Sequence, residues 1–140
     1  MHRLFLDANI VLDFFLRREP DFDAARTLLH LGETDRAVLG MSAAAVPFAY
    51  FHLNKQRLEF GDPKDRLRRF VPYVTLVTVD ADVVRRSLIS SIRDVEDATQ
   101  YELAADFSAD FLITRDKAGF KGKPIPQISP HDYLSRVFRP

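Results

Sequence analysis

The sequence predicts an α/β fold, a three-layer α/β/α arrangement around a central parallel sheet of four or five strands. Three observations carry this. Short apolar runs alternate with stretches of helical periodicity along the whole chain. The runs are apolar at consecutive positions, as strands covered on both faces must be. Capping and turn residues separate each run from the next pattern, the punctuation expected of repeated strand–helix units.

Leu4-Phe5-Leu6 is the first buried strand, ended by Asp7, and Asn9 precedes a helical stretch from Ile10 to Leu16. A second helix is predicted over about residues 22–31, with Ala24, Ala25, Leu28 and Leu29 on its apolar face and Gly32 as its stop. Residues 37–41 read as the second buried strand. Ser42 is placed to cap a helix running toward Lys55, in which Pro47 must sit in the first turn or bend the axis. Asp62-Pro63 opens a basic helix through Phe70, residues 74–79 form a β-branched strand, and Asp80 caps a helix to about Ser90. Asp94 begins another helix, residues 111–114 are a strand, and residues 126–128 lead to a last helix starting near Pro130. The connection over residues 115–126, with two glycines and three lysines, is the longest between elements.

A chain of 140 residues with 46% hydrophobic content fills one core, so residues 1–140 are expected to form a single domain. Its 20 basic and 20 acidic residues cancel, so a nucleic-acid partner would have to be held by a local patch or through metal. Without cysteine there is no disulfide framework, thiolate zinc site or cysteine nucleophile, and redox chemistry is excluded. Charges at Arg3 and Asp7 interrupt the first apolar run before a signal-peptide core or membrane span can form, so a cytoplasmic protein with no membrane association is expected.

In an open parallel sheet, ligands gather beyond the carboxyl ends of the strands, where helix N-termini point. Asp7 ends the first strand and Asp116 follows the strand at 111–114. Asp94, Glu96 and Asp97 lie in the first turn of the preceding helix. Each has a purely structural explanation as well. Asp7 and Asn9 can shape a strand-to-helix turn, Asp94 with Asp97 resembles a capping box, and Asp116 can be an ordinary loop acid. Asp13 is different, because apolar neighbours surround it on a helix that should be deeply packed, and a buried lone carboxylate is expensive. Arg17, four residues on, is the counter-charge that spacing suggests.

The run Asp7-Ala8-Asn9-Ile10-Val11-Leu12-Asp13 resembles the first motif of PIN domains, a metal-dependent ribonuclease fold that includes the VapC toxins of toxin–antitoxin pairs. Asp94-Val95-Glu96-Asp97-Ala98-Thr99-Gln100-Tyr101, then Ala104-Ala105, then Asp110-Phe111-Leu112-Ile113-Thr114-Arg115-Asp116, is similar to the later motifs of the same family. The segment Ile125-Pro126-Gln127-Ile128-Ser129-Pro130 resembles its closing strand and helix. The resemblance implies that Asp7, Asp97 and Asp116 are catalytic acids and metal ligands, with Asn9, Asp94, Glu96 and Thr114 in auxiliary positions. It further implies an endoribonuclease acting on single-stranded RNA, with a partner antitoxin and a homodimer expected on the same grounds. A catalytically degenerate domain that binds RNA or a protein without cleaving is the alternative.

Magnesium or manganese suits such a site, since both take hard oxygen ligands and magnesium keeps several of its waters. Acids gathered without a cation repel one another and raise each other's pKa, so a cluster implies the ion. Lys117, Lys121 and Lys123 follow Asp116 and are the preferred contacts for RNA phosphate. Arg17-Arg18 and the cluster Arg66, Arg68 and Arg69 are more simply solvated charge. Two family positions depart from the pattern. The acid expected two turns into the helix after the second strand is Phe48, and an acid sometimes found three residues beyond Asp116 is Gly119.

Overall fold

In a computed structural model of the protein, residues 1–116 and 118–140 are described, and they build one five-stranded parallel sheet in the order β3-β2-β1-β4-β5. β1 (Arg3–Leu6) is central, between β2 (Val38–Ser42) and β4 (Phe111–Ile113), while β3 (Thr75–Val77) and β5 (Gln127–Ile128) form the edges. Phe5 lies level with Gly40 on one side and Leu112 on the other. The strand order reverses at β1 and β4, and that is where a crevice opens beyond the carboxyl ends of an open α/β sheet.

Side chains alternate across the strands and divide the interior in two. Leu4, Leu6, Leu39, Met41 and Ile113 pack with α1 (Ala8–Phe15), α2 (Phe22–Glu33) and α3 (Ala45–Asn54). Phe5 and Leu112 pack on the other face, against α6 (Ala81–Ile89) and α7 (Val95–Asp106). Leu4, Phe5 and Leu6 are wholly buried, which stabilises the fold by roughly 1.5–3 kcal/mol each. The short α4 (Arg57–Phe60), α5 (Pro63–Phe70) and α8 (Pro130–Asp132) complete the layers, α8 continuing as a π-helical turn over Tyr133–Val137. The predicted three-layer parallel fold is thus observed, with five strands.

Two glycines mark close approaches. A Cβ at Gly40 would stand 2.8 Å from three ring atoms of Phe107. That ring is buried and is also covered by the Arg3 guanidinium, 4.1 Å from its centroid. Gly40→Ala is therefore expected to destabilise the protein by about 1–3 kcal/mol, read as a lower urea midpoint with an unchanged slope. Gly32 does not stop α2 as the sequence suggested. It stays inside the helix because a Cβ there would meet Leu39 at 2.5 Å, so the residue serves helix–sheet packing and α2 runs on to Glu33.

Other expectations shift in detail. Ser42 accepts the Ala44 N–H at 3.1 Å but α3 starts at Ala45, which puts Pro47 in the first turn where its missing N–H costs nothing. Arg17 is not the partner of Asp13. Arg17 takes the left-handed conformation (φ 51°) just beyond the end of α1, and Asp13 is met instead by Arg18 and by Arg115.

Candidate active site

The strand-to-helix turns place the acids. Asp7 leaves β1 and caps α1, accepting the Asn9 N–H at 3.4 Å, while its own N–H is held by the Ile113 carbonyl at 3.0 Å. Thr114, wholly buried at the end of β4, donates its hydroxyl to Asp7 Oδ2 at 2.9 Å and accepts the Asp116 N–H at 3.2 Å. One threonine hydroxyl therefore links the carboxyl ends of the two central strands. Asp7, Asn9, Arg115 and Asp116 line a recess of about 360 Å³ there.

Asp94 caps α7 through the Asp97 N–H at 2.9 Å, the expected half of a capping box. This turns Asp97 toward the sheet ends, its Oδ2 resting where a Cβ on Gly119 would come within 2.7 Å. Asp97 also lines an adjoining recess of about 560 Å³, together with Asp94, Gly119, Lys121 and Lys123. Two of the three lysines chosen from sequence thus lie beside one of the predicted acids. Lys117, the third, lies outside the described residues. Phe48, Glu96 and Gln100 line a further recess of about 230 Å³.

Electrostatics ties these recesses together. Burial, then the carboxylates of Asp94, Asp116, Asp7 and Glu96, push the Asp97 carboxyl up to about 6 from an ordinary 3.8. Burial also raises Asp7, against the Thr114 hydroxyl, the Asn9 N–H and the Arg115 charge. The charges of Asp116 and Asp7 thus reach Asp97 from the neighbouring recess. Among the described residues, however, no three acidic or imidazole side chains lie close enough to surround one ion. The donor chemistry suits a hard divalent cation, and magnesium can be held by one or two carboxylates with water and substrate phosphate completing its shell.

Arg115 is a residue that the sequence reading passed over. It stands between Thr114 and Asp116 and turns the other way, its Nε 2.8 Å from Oδ2 of the buried Asp13 and its Nη1 3.7 Å from Asp21. A signal was available, because a carboxylate inside an apolar helix demands a cation from somewhere. The arginine clusters considered earlier are engaged elsewhere: Arg66 donates to the Phe15 carbonyl, and Arg68 and Arg69 pair with Asp65. Tyr101 is a core residue, stacked on Phe120 with its hydroxyl accepting the Ile125 N–H.

A five-stranded parallel sheet with Asp7 and Asp116 in one recess beyond the ends of β1 and β4, and Asp97 near enough to feel their charge, defines an α/β protein whose candidate site is carboxylate-rich. Residues 3–118 match the model of the PIN domain, and the chain belongs to that family. Solved structures share the fold at low identity. A toxin–antitoxin complex from Klebsiella pneumoniae aligns with a TM-score of 0.69 and 22% identity, covering 91% of this chain and 97% of that one. VapC20 of Mycobacterium tuberculosis, a sarcin-ricin loop cleaving toxin, gives 0.62 and 15%, covering 83% and 92%. VapBC2 from Rickettsia felis, bound to a fragment of promoter DNA, gives 0.64 and 14%, covering 91% and 98%. No curated protein matches the sequence. Among the described residues no helix is long and apolar enough to cross a membrane.

Proposed function

We propose that the protein is a divalent-metal-dependent endoribonuclease of toxin type acting on single-stranded RNA. The observation that supports this reading best is that Asp7 and Asp116 line one recess at the sheet ends while Asp97 is pushed up to about 6 by burial and then by acidic neighbours that include both of them. Carboxylates crowded in this way are relieved by a bound cation or by taking up a proton, and a cation is the relief available at neutral pH. Asp7, Asp97 and Asp116 would hold magnesium or manganese. When bound, the ion supplies a water of lowered pKa and positive charge against the phosphate.

The remaining work falls to the chain. Thr114 fixes the Asp7 carboxylate, and Asp94 fixes the start of α7 and so the direction of Asp97. Asn9 and Glu96, on the walls of flanking recesses, are auxiliary. Lys121 and Lys123, and Lys117 on sequence grounds alone, are assigned to the RNA backbone, since cations beside acids offset repulsion of the phosphate. An antitoxin partner and a homodimer belong to the same proposal.

The purified protein is expected to cleave single-stranded RNA with manganese and to stop when EDTA is added. Failure of manganese to release heat in calorimetry, with RNA binding retained, would favour the second reading: a PIN module that binds without cleaving. Phe48 in place of the usual helix acid is the observation on that side. A finer test uses Gly119. Gly119→Ala presses a methyl group on the Asp97 carboxyl, a flexible side-chain end, so stability should change by under about 1 kcal/mol while cleavage falls roughly ten- to hundredfold.

A further inference from the structure

Gln100 lies on α7, three residues past Asp97, and is 7% exposed. Its Oε1 is buried and has no hydrogen-bond partner among the described residues. An acceptor left so carries its full desolvation cost, and a native fold retains such a group where something else satisfies it. Neighbouring hydroxyls do not: Thr99 donates to the Val95 carbonyl at 2.8 Å, and Ser42, which accepts the Ala44 N–H, makes no hydrogen bond to Gln100 Oε1.

Gln100 is one of the residues that line a recess of about 230 Å³, with Phe48, Ala8, Ala44, Ser42 and Glu96. An apolar cavity of about 150 Å³ accepts a benzene ring, so this one has room for a single heterocycle. No basic side chain lines it, which disfavours phosphate, and Glu96 is its one carboxylate, which disfavours a metal ion. Phe48 is 40% exposed and its ring meets His52 nearly at right angles, 4.6 Å between centroids, leaving an aromatic surface at the mouth. Ala8 directly follows Asp7, and Glu96 directly precedes Asp97, so the recess adjoins the acids.

We propose that this recess is a nucleobase subsite, in which Gln100 pairs with the edge of an amino-bearing RNA base, adenine or cytosine, and Phe48 supplies a stacking surface. The proposal rests on the ribonuclease reading for its substrate class. Single-stranded RNA is read by aromatic stacking and by hydrogen bonds to exposed base edges. The buried acceptor selects an exocyclic amine, and the amide's own N–H groups suit the ring nitrogen beside it in adenine or cytosine. Glu96, an acceptor alone when ionised, works in the same direction against the carbonyls of uracil.

The test separates the subsite from the cleavage reaction. Neutral nucleosides are titrated into the full chain in EDTA, following the Gln100 side-chain amide and the Phe48 ring by NMR. Adenosine and cytidine are expected to shift both signals and to bind roughly tenfold tighter than uridine, with Gln100→Leu erasing that difference. In parallel, manganese-dependent cleavage of a randomised single-stranded RNA should show adenine or cytosine enriched at one position, and Gln100→Leu should flatten the preference. Equal binding of the three nucleosides, with cleavage intact and its base preference unchanged in Gln100→Leu, would overturn the subsite and leave the nuclease standing. Selective nucleoside binding lost in Gln100→Leu, without cleavage by the wild type, would keep the subsite and remove the nuclease. Should Gln100→Leu not fold, the surface variant Phe48→Ala decides: weaker adenosine binding supports the subsite, and unchanged binding overturns it.

Discussion

Asp97→Asn is expected to stabilise the metal-free protein near neutral pH and, in the same molecule, to reduce metal-dependent RNA cleavage by about a hundredfold or more. The two effects have one origin. The Asp97 carboxyl is pushed up to about 6 by burial and then by Asp94, Asp116, Asp7 and Glu96, against 3.8 in the unfolded chain. Between those values the folded protein holds a proton that the unfolded chain has released, so stability falls as pH rises through this window. Above about 6 the full penalty stands, roughly 1–2 kcal/mol after allowance for solvent screening. Asparagine removes the charge and with it the penalty. Thermal melts in EDTA should therefore show Asp97→Asn melting several degrees above the wild type at pH 7.5 and level with it below about pH 4. A melting difference independent of pH would show that like-charge crowding is not what Asp97 experiences. Unchanged cleavage would take Asp97 out of the mechanism.

The second large effect concerns Arg115. Asp13 is 1% exposed and burial raises its carboxyl, with Arg115 as the main opposing charge at 2.8 Å and Arg18 further off at 3.7 Å. Removing one partner of a buried pair leaves a charge without compensation, so Arg115→Ala should cost about 3–5 kcal/mol in urea denaturation. Arg115→Lys should recover little, because one guanidinium reaches both Asp13 and Asp21 and a single ammonium cannot reproduce that fork. The double variant Asp13→Leu with Arg115→Met should regain most of the stability, since no buried charge then remains. A single Arg115→Ala cost below about 1 kcal/mol would mean that Arg18 alone suffices for Asp13.

Much of this was legible in the sequence because it depends on local rules. The strand ends at Asp7 and Thr114, the cap at Asp94 and the parallel sheet follow from apolar runs and the residues that interrupt them. Features set by contacts distant in sequence were not legible. Gly32 looked like a helix stop, since a closely packed leucine from β2 leaves no trace in the residues around it. Arg17 has the right spacing for Asp13, yet the helix ends two residues earlier, at Phe15, and the counter-charge comes from a loop 102 positions away. Gln100 read as one more polar residue on α7. Only the fold turns it inward toward Phe48, and the gap in the expected acids then acquires a shape.

The alternation of Thr114, Arg115 and Asp116 has a mechanical consequence. Swinging this loop outward would strip the carboxylate inside α1 of its counter-ion and release the hydroxyl that joins β4 to β1, so opening is penalised at two anchors together. The carboxyl end of β4 should consequently be among the slowest backbone regions to exchange its amide hydrogens, a cleft set before any ligand arrives rather than shaped by it.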